Sequence, residues 1–406
     1  MHKVPIMAYI TGYRCVRCGT LHTPKSPHTT CRSCGGPLLA VYDIEAVKDV
    51  VDKHVLTRRS PTMWRYSDLM PVFNKNNIVS LGEGYTPLIS LDNAGRELGL
   101  RDLLMKDEGR NPTATFKDRP VSVAVSALRE LGVKSIAMPT AGNAGAALAA
   151  YGARAGLEVH VVMPSDTPKP IYVEALARGV NVITVDGLIS DAGRIVAEGA
   201  SKHGWFDIST MRTPYRAEGT KTMGYEVAEQ LGWESPDVIV FPTGGGEGVI
   251  GIWKGFKELV ELGWVDGTPR IVVVQSEGCR PVVEAFTKGR ESAEFFSACE
   301  TIASGLRVPK PFADVEILKA IRETRGTALA VSDLEIMDSL KELATLEGVL
   351  PCPEGAAAYA AVRKLMDSKL VDRDERVVIY NTGSGLKYID VISKALYGGS
   401  ASTRKN

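Results

Sequence analysis

Short, β-rich apolar runs alternate with amphipathic stretches along most of this 406-residue chain. Ser135–Met138, Val159–Met163, Val182–Val185, Val238–Phe241, Arg270–Gln275, Thr327–Val331 and Arg376–Tyr380 read as strands. Between them, helical patterns run from Asp118 to Leu131, Ala144 to Ala155, Pro170 to Arg178 and Ala192 to Lys202. The first of these has Pro120 in its opening turn and stops at Gly132. Val121, Ala124, Val125, Leu128 and Leu131 share one of its faces. Near-continuous apolar strands separated by helices predict an α/β protein with open, mostly parallel sheets covered on both sides. The length exceeds what one hydrophobic core usually holds, so two or three domains are expected.

Composition adds exclusions. Apolar residues make up 44%, charged residues 24%, and the net charge is zero. No bulk charge calls for nucleic acid or an anionic membrane. The first residues lack the apolar core of a signal peptide, and no apolar run approaches a membrane span, so a cytoplasmic location is expected. Four of the seven cysteines form two knuckles, Cys15-x-x-Cys18-Gly19 and Cys31-x-x-Cys34-Gly35. This spacing suits four thiolates around one structural zinc better than disulfides or a redox pair, with His22 and His28 as spare ligands. The ribbon is assigned to 8–40 and a partly helical connector, with Pro61 and Pro71, to 41–77. Cys279, Cys299 and Cys352 are expected to be packing residues.

In open parallel sheets, ligands bind beyond the carboxyl ends of strands. Three such loops carry candidate chemistry. Pro139–Gly145 offers backbone N–H groups and Thr140 for a carboxylate, and Asn143 for a phenolate oxygen. Pro242-Thr243-Gly244-Gly245-Gly246-Glu247-Gly248 makes a nest for phosphate, without matching a nucleotide-binding fingerprint. Tyr380–Lys387 offers Thr382 or Ser384 as a neutral hydroxyl for a ring nitrogen. Taken singly, the Asn143 loop reads better as a helix cap with a glycine turn, the Thr382 loop has a helix cap as its alternative, and a glycine loop is by itself a weak signal. A fourth loop, Asn111–Lys117, delivers Lys117 to a helix start, where burial and the helix dipole favour a neutral amine able to form a Schiff base. Lysine, phosphate nest, asparagine and hydroxyl together point to pyridoxal phosphate.

From about Val79 to Lys387 the chain resembles the threonine synthases of the β-family (fold type II) pyridoxal-phosphate enzymes. Leu81–Leu88, Asn111–Arg119, the Asn143 loop, Pro214–Gly219, the glycine loop and the Thr382 loop occur in the family's order. The N-terminal knuckles resemble the zinc-ribbon branch. The resemblance implies a large cofactor-binding domain over 78–118 plus 226–396, a small domain over 119–225 and a tail over 397–406. It makes Lys117 the catalytic, cofactor-bearing lysine, Asn143 an O3′ contact and Thr382 the ring-nitrogen partner. The amides of Gly244, Gly245, Gly246, Glu247 and Gly248 would hold the cofactor phosphate. Thr140, Arg212 and Arg216 become substrate contacts, the arginines suited to a substrate phosphate. The implied reaction turns O-phospho-L-homoserine and water into L-threonine and phosphate. A serine/threonine dehydratase, a cysteate-synthase-like enzyme and a non-catalytic zinc-ribbon binding module are the competing readings. A small-molecule amino-acid substrate is expected, with no nucleic acid or membrane partner, and a homodimer is compatible.

Three departures bear on this reading. Glu247 replaces a small or neutral residue and is expected to point away from phosphate or to meet a cation. Met211 and Arg212 stand where polar groups are usual, and Ala114-Thr115 stands where Gly-Ser is commoner.

Overall fold

The computed structural model describes residues 9–397 except 141, 166, 168 and 188. Ala8, Ala141 in the Asn143 loop and the expected tail beyond Tyr397 therefore lie outside the described residues. The ribbon is a three-stranded antiparallel sheet of β1 (Ile10–Cys15), β2 (Leu21–His22) and β3 (Leu38–Tyr42), in the order β2-β1-β3. The connector holds the helices Ile44–Val50 and Lys53–Leu56 and a tight-turned segment, Met63–Leu69.

The remaining strands are β4 (Leu88–Ser90), β5 (Asp102–Asp107), β6 (Ser135–Pro139), β7 (Glu158–Pro164), β8 (Asn181–Val185), β9 (Phe206–Asp207), β10 (Val238–Pro242), β11 (Arg270–Ser276), β12 (Thr327–Val331) and β13 (Arg376–Asn381). They form two sheets. The larger has the order β12-β11-β10-β13-β5-β4, parallel except for β4, and the smaller, β8-β7-β6-β9, is wholly parallel. The fold is thus α/β with two mostly parallel sheets. Every residue of β10 is buried, as expected for a strand with helices on both faces.

Parallel alignment puts the carboxyl ends of β5, β10 and β13 on one edge of the large sheet. The loops that follow them are the lysine, glycine and Thr382 loops. The Asn143 loop follows β6 of the small sheet. Below the lysine loop lies a buried ion network. Arg119 pairs with Glu108 at 2.6 Å and Glu226 at 2.5 Å, and Lys106 with Glu226 at 2.8 Å, all without solvent exposure. The two cations outweigh burial and hold the Glu226 carboxyl down at about 2. This network anchors Arg119, two residues beyond Lys117, in the first turn of the helix Asp118–Glu130.

The cysteine reading needs one correction. Cys279 and Cys299 are joined by a disulfide, with Cα atoms 4.5 Å apart, rather than packing separately. A turn after β11 brings Cys279 to the loop that carries Cys299. Cys352 is a buried packing residue whose sulfur also caps the helix Pro353–Asp367.

Candidate active site

The lysine loop is stitched to the last-strand loop. Phe116 N–H donates to the Thr382 carbonyl at 3.0 Å, and Ser384 N–H to the Ala114 carbonyl at 2.9 Å. The Asp118 carboxylate accepts from both the N–H and the hydroxyl of Thr113 at 2.7 Å, which curls the loop back over the helix start. Ala114 occupies the left-handed region, φ 59°. This is a physical reason for glycine being commoner there, because an L side chain is strained in that region. Ala114→Gly is expected to stabilise the fold by about 0.5–1 kcal/mol, part of the relieved strain being offset by a freer unfolded chain. Thermal unfolding reads this, and a lower midpoint would contradict it.

Lys117 opens onto a cavity of about 580 Å³. Thr140, Asn143, Arg212, Gly244 through Gly248 and Thr382 line it as well. Arg216 does not. It is fully buried, with Nε 2.7 Å from Glu247 Oε1, Nη2 donating to Oε2 at 2.8 Å and Nη1 donating to the Ile208 carbonyl at 2.8 Å. The same Glu247 carboxylate is 3.5 Å from Lys117 Nζ. Glu247 therefore meets two cations.

The charges of this triad are set by burial and by one another. Burial lowers the Lys117 amine from 10.5 to about 8; Glu247 offsets part of that effect and Arg216 adds to it. Burial alone would raise the Glu247 carboxyl, but the Arg216 guanidinium and the Lys117 ammonium outweigh it and hold it below its ordinary value.

The cavity fits pyridoxal phosphate. Gly246 precedes the helix Glu247–Glu261 with φ 84°, and no side chain caps the first-turn N–H groups, which leaves them for an anion. A Cβ on Gly244 would lie 2.2 Å from the Gly305 carbonyl oxygen, so the loop tolerates no side chain there. Asn143 donates to the Tyr388 hydroxyl at 2.8 Å, while its buried Oδ1 has no partner. Either end of the amide can serve the tyrosine hydroxyl, so the other is left for a ligand oxygen. The Thr382 hydroxyl is 3.4 Å from Cys352 Sγ. The Thr140 hydroxyl bonds within its own loop, to Gly142 N–H at 3.1 Å.

Two wall components were not read from the sequence. Glu354 reaches the cavity from the start of the helix Pro353–Asp367, accepts Gly305 N–H at 2.7 Å, and has its carboxyl pushed up by burial. Its position after Cys352-Pro353 at a helix start was the available clue. The irregular stretch from Phe295 to Phe312 supplies the wall facing the glycine loop and had no periodicity to betray it.

In the ribbon, the four cysteine sulfurs lie within 4.8 Å of one another, with Cys15–Cys34 at 3.4 Å and Cys18–Cys31 at 3.6 Å. Tetrahedral zinc thiolates place sulfurs about 3.8 Å apart, so this group fits zinc. His22 Nε2 is 3.3 Å from Cys31 Sγ, whereas His28 is turned to the Thr23 carbonyl at 2.7 Å.

The family model described as "Pyridoxal-phosphate dependent enzyme" matches residues 79–383, and the chain belongs to that family. Within it, the more particular kinship is with the threonine synthases. The chain is 38% identical over 383 residues to the threonine synthase of Methanocaldococcus jannaschii, covering 94% of each chain. It is 38% identical over 375 residues to that of Methanosarcina acetivorans, covering 92% of this chain and 91% of the relative. Among solved structures it is similar to diaminopropionate ammonia lyase from Escherichia coli, with a TM-score of 0.68 at 18% identity over 79% of this chain and 89% of that one. Maize serine racemase gives 0.66 at 22% identity, over 77% and 92%. These likenesses show the fold.

Proposed function

We infer that the protein is a threonine synthase, a pyridoxal-phosphate-dependent lyase that converts O-phospho-L-homoserine and water into L-threonine and phosphate. One structural observation carries the reading beyond kinship. The cavity that holds Lys117 also presents Arg212, an exposed guanidinium with no carboxylate partner among the described residues. A substrate with a second anion needs such a group; a serine or threonine dehydratase does not.

Held by the glycine-loop amides, Asn143 and Thr382, pyridoxal phosphate supplies an electron sink for charge on the carbon beside the substrate amine. Lys117 is placed to move protons at the substrate Cα and Cβ, because an amine near pH 8 can both accept and return a proton under ordinary conditions. Glu247 keeps Lys117 and Arg216 from repelling each other. Arg212 faces the departing phosphate, and the Thr140 loop offers its N–H groups to the substrate carboxylate. Arg216, paired with Glu247, supports the site from behind.

Alongside this we propose a structural zinc on Cys15, Cys18, Cys31 and Cys34, supported by their sulfur separations and checked by metal analysis of the purified protein. No helix among the described residues is long and apolar enough to cross a membrane.

The function is tested by supplying the cofactor-loaded protein with O-phosphohomoserine and, in parallel, with threonine and serine. Phosphate release with threonine formation is expected. Ketoacid from threonine or serine without phosphate release from O-phosphohomoserine would transfer the assignment to a dehydratase.

A further inference from the structure

We propose that the N-terminal ribbon is a working part of the substrate-anion subsite, with Arg17 positioning Arg212 through the ring of Phe312. The inference rests on the reading of Arg212 given above and extends it to a domain outside the catalytic sheets.

Phe312 is the shared element. The Arg212 guanidinium carbon lies 4.5 Å from the centre of its ring, and that of Arg17 lies 5.6 Å from the same centre. Arg17 belongs to the first cysteine knuckle, between Cys15 and Cys18. It donates from Nη2 to the Phe312 carbonyl at 2.9 Å and from Nε to Glu316 Oε1 at 3.3 Å. Its charge is balanced by Glu316, which is buried. Arg17 therefore holds Phe312 in place without competing for an anion, while Arg212 keeps its charge for one. The two arginines and Phe312 also line a second cavity, of about 510 Å³, so Arg212 stands at the seam between the ribbon face and the Lys117 cavity.

The ribbon also holds the helix Tyr215–Thr220, which follows Arg212. His28 N–H donates to the Tyr215 hydroxyl at 3.0 Å, and Tyr13 meets the Tyr215 ring edge-on at 5.5 Å. The Tyr42 hydroxyl donates to Glu218 at 2.9 Å. Tyr215 and Glu218 lie three and six residues beyond Arg212. Met211, just before Arg212, is buried and holds φ at 60°, a conformation that persists only where surrounding packing imposes it. The ribbon thus contacts both the ring on which Arg212 rests and the helix Tyr215–Thr220 that follows it. A plain docking contact would fix the ribbon to the body without converging on one active-site side chain.

The test uses the full-length, cofactor- and zinc-loaded protein and two readouts: binding of inorganic phosphate by calorimetry, and the steady-state constants for O-phosphohomoserine. The violet absorbance of the bound cofactor serves as a check on the site. Arg212→Ala is expected to weaken phosphate binding at least about tenfold, the scale of a lost charged hydrogen bond. Arg17→Ala is expected to weaken phosphate binding and raise KM by about threefold or more, with kcat and absorbance near wild type. Arg17→Lys keeps the charge but lacks the planar fork, and is expected to retain most of the defect. Lys25→Ala, an exposed change elsewhere on the ribbon, is expected to bind phosphate normally. Wild-type phosphate affinity in Arg17→Ala would overturn the proposal, as would rescue by Arg17→Lys. If the protein bound phosphate with this dependence yet released none from O-phosphohomoserine, the subsite would stand and the activity would fall. If O-phosphohomoserine were turned over with constants indifferent to Arg17, the activity would stand and the ribbon's role would fall.

Discussion

Lys117→Ala is expected to fold normally and to lose turnover by about a thousandfold or more, since general acid–base transfer alone contributes about 10²–10⁴. The two halves of this expectation have separate causes. Turnover falls because, among the described residues, no other lysine lines the cavity except Lys310, whose amine is held by Asp314 at 2.7 Å. The fold survives because Lys117 is a liability to the cofactor-free protein. Its amine is lowered from 10.5 to about 8, so holding it as ammonium at neutral pH opposes folding by on the order of 3 kcal/mol. That penalty is present below about pH 8 and fades as pH rises towards 10.5. The variant also leaves Glu247 paired with Arg216, so no buried charge is stranded. A melting midpoint at or above wild type, with activity gone, is the expected pair of results. A large drop in midpoint would mean that Lys117 supports the fold, against this account.

Glu247→Gln has the second large effect, and it separates stability from proton chemistry. Gln preserves the size of the side chain but removes the charge between Arg216 and Lys117, both largely or wholly out of solvent. Removing one partner of a buried pair costs about 3–5 kcal/mol, because the remaining charge is uncompensated. Denaturant titration reads this. The same change removes the main influence that raises the Lys117 amine, so its midpoint is expected to fall below 8. The pH profile of Lys117 reaction with an aldehyde in the cofactor-free protein measures it: wild-type reactivity rises through about pH 8, and that of the variant at lower pH. An unchanged profile would show that Glu247 does not govern Lys117.

What was legible in the sequence follows from which forces act locally. Strands such as β10 and β11 were visible because burial on both faces demands unbroken apolar runs. β5 was missed because its end carries Lys106 and Asp107, charges that read as surface until Glu226 and Asn381 are brought to them. β4 and β9 are only three and two residues long, too short for any period. Among the residues that line the cavity, Lys117, Asn143, the glycines and Thr382 were readable because each lies just past an apolar strand or at a helix start. Arg216 was visible as a cation, but its partner Glu247 sits thirty-one positions later, and only folding shows that the two neutralise each other. Arg17 gave no sign of its reach to Phe312, 295 positions later, nor Cys279 of its bond to Cys299, 20 positions later, because neither contact lies within one regular element.

The central claim is that Lys117, at the meeting of these loops, bears the cofactor. Borohydride reduction of the cofactor-loaded protein, followed by peptide mapping, tests it most directly. The account predicts the reduced pyridoxyl group on Lys117 alone and loss of the violet absorbance. A label on Lys310, the other cavity-lining lysine among the described residues, on one of the buried lysines Lys106, Lys221 and Lys254, or no label at all, would contradict it.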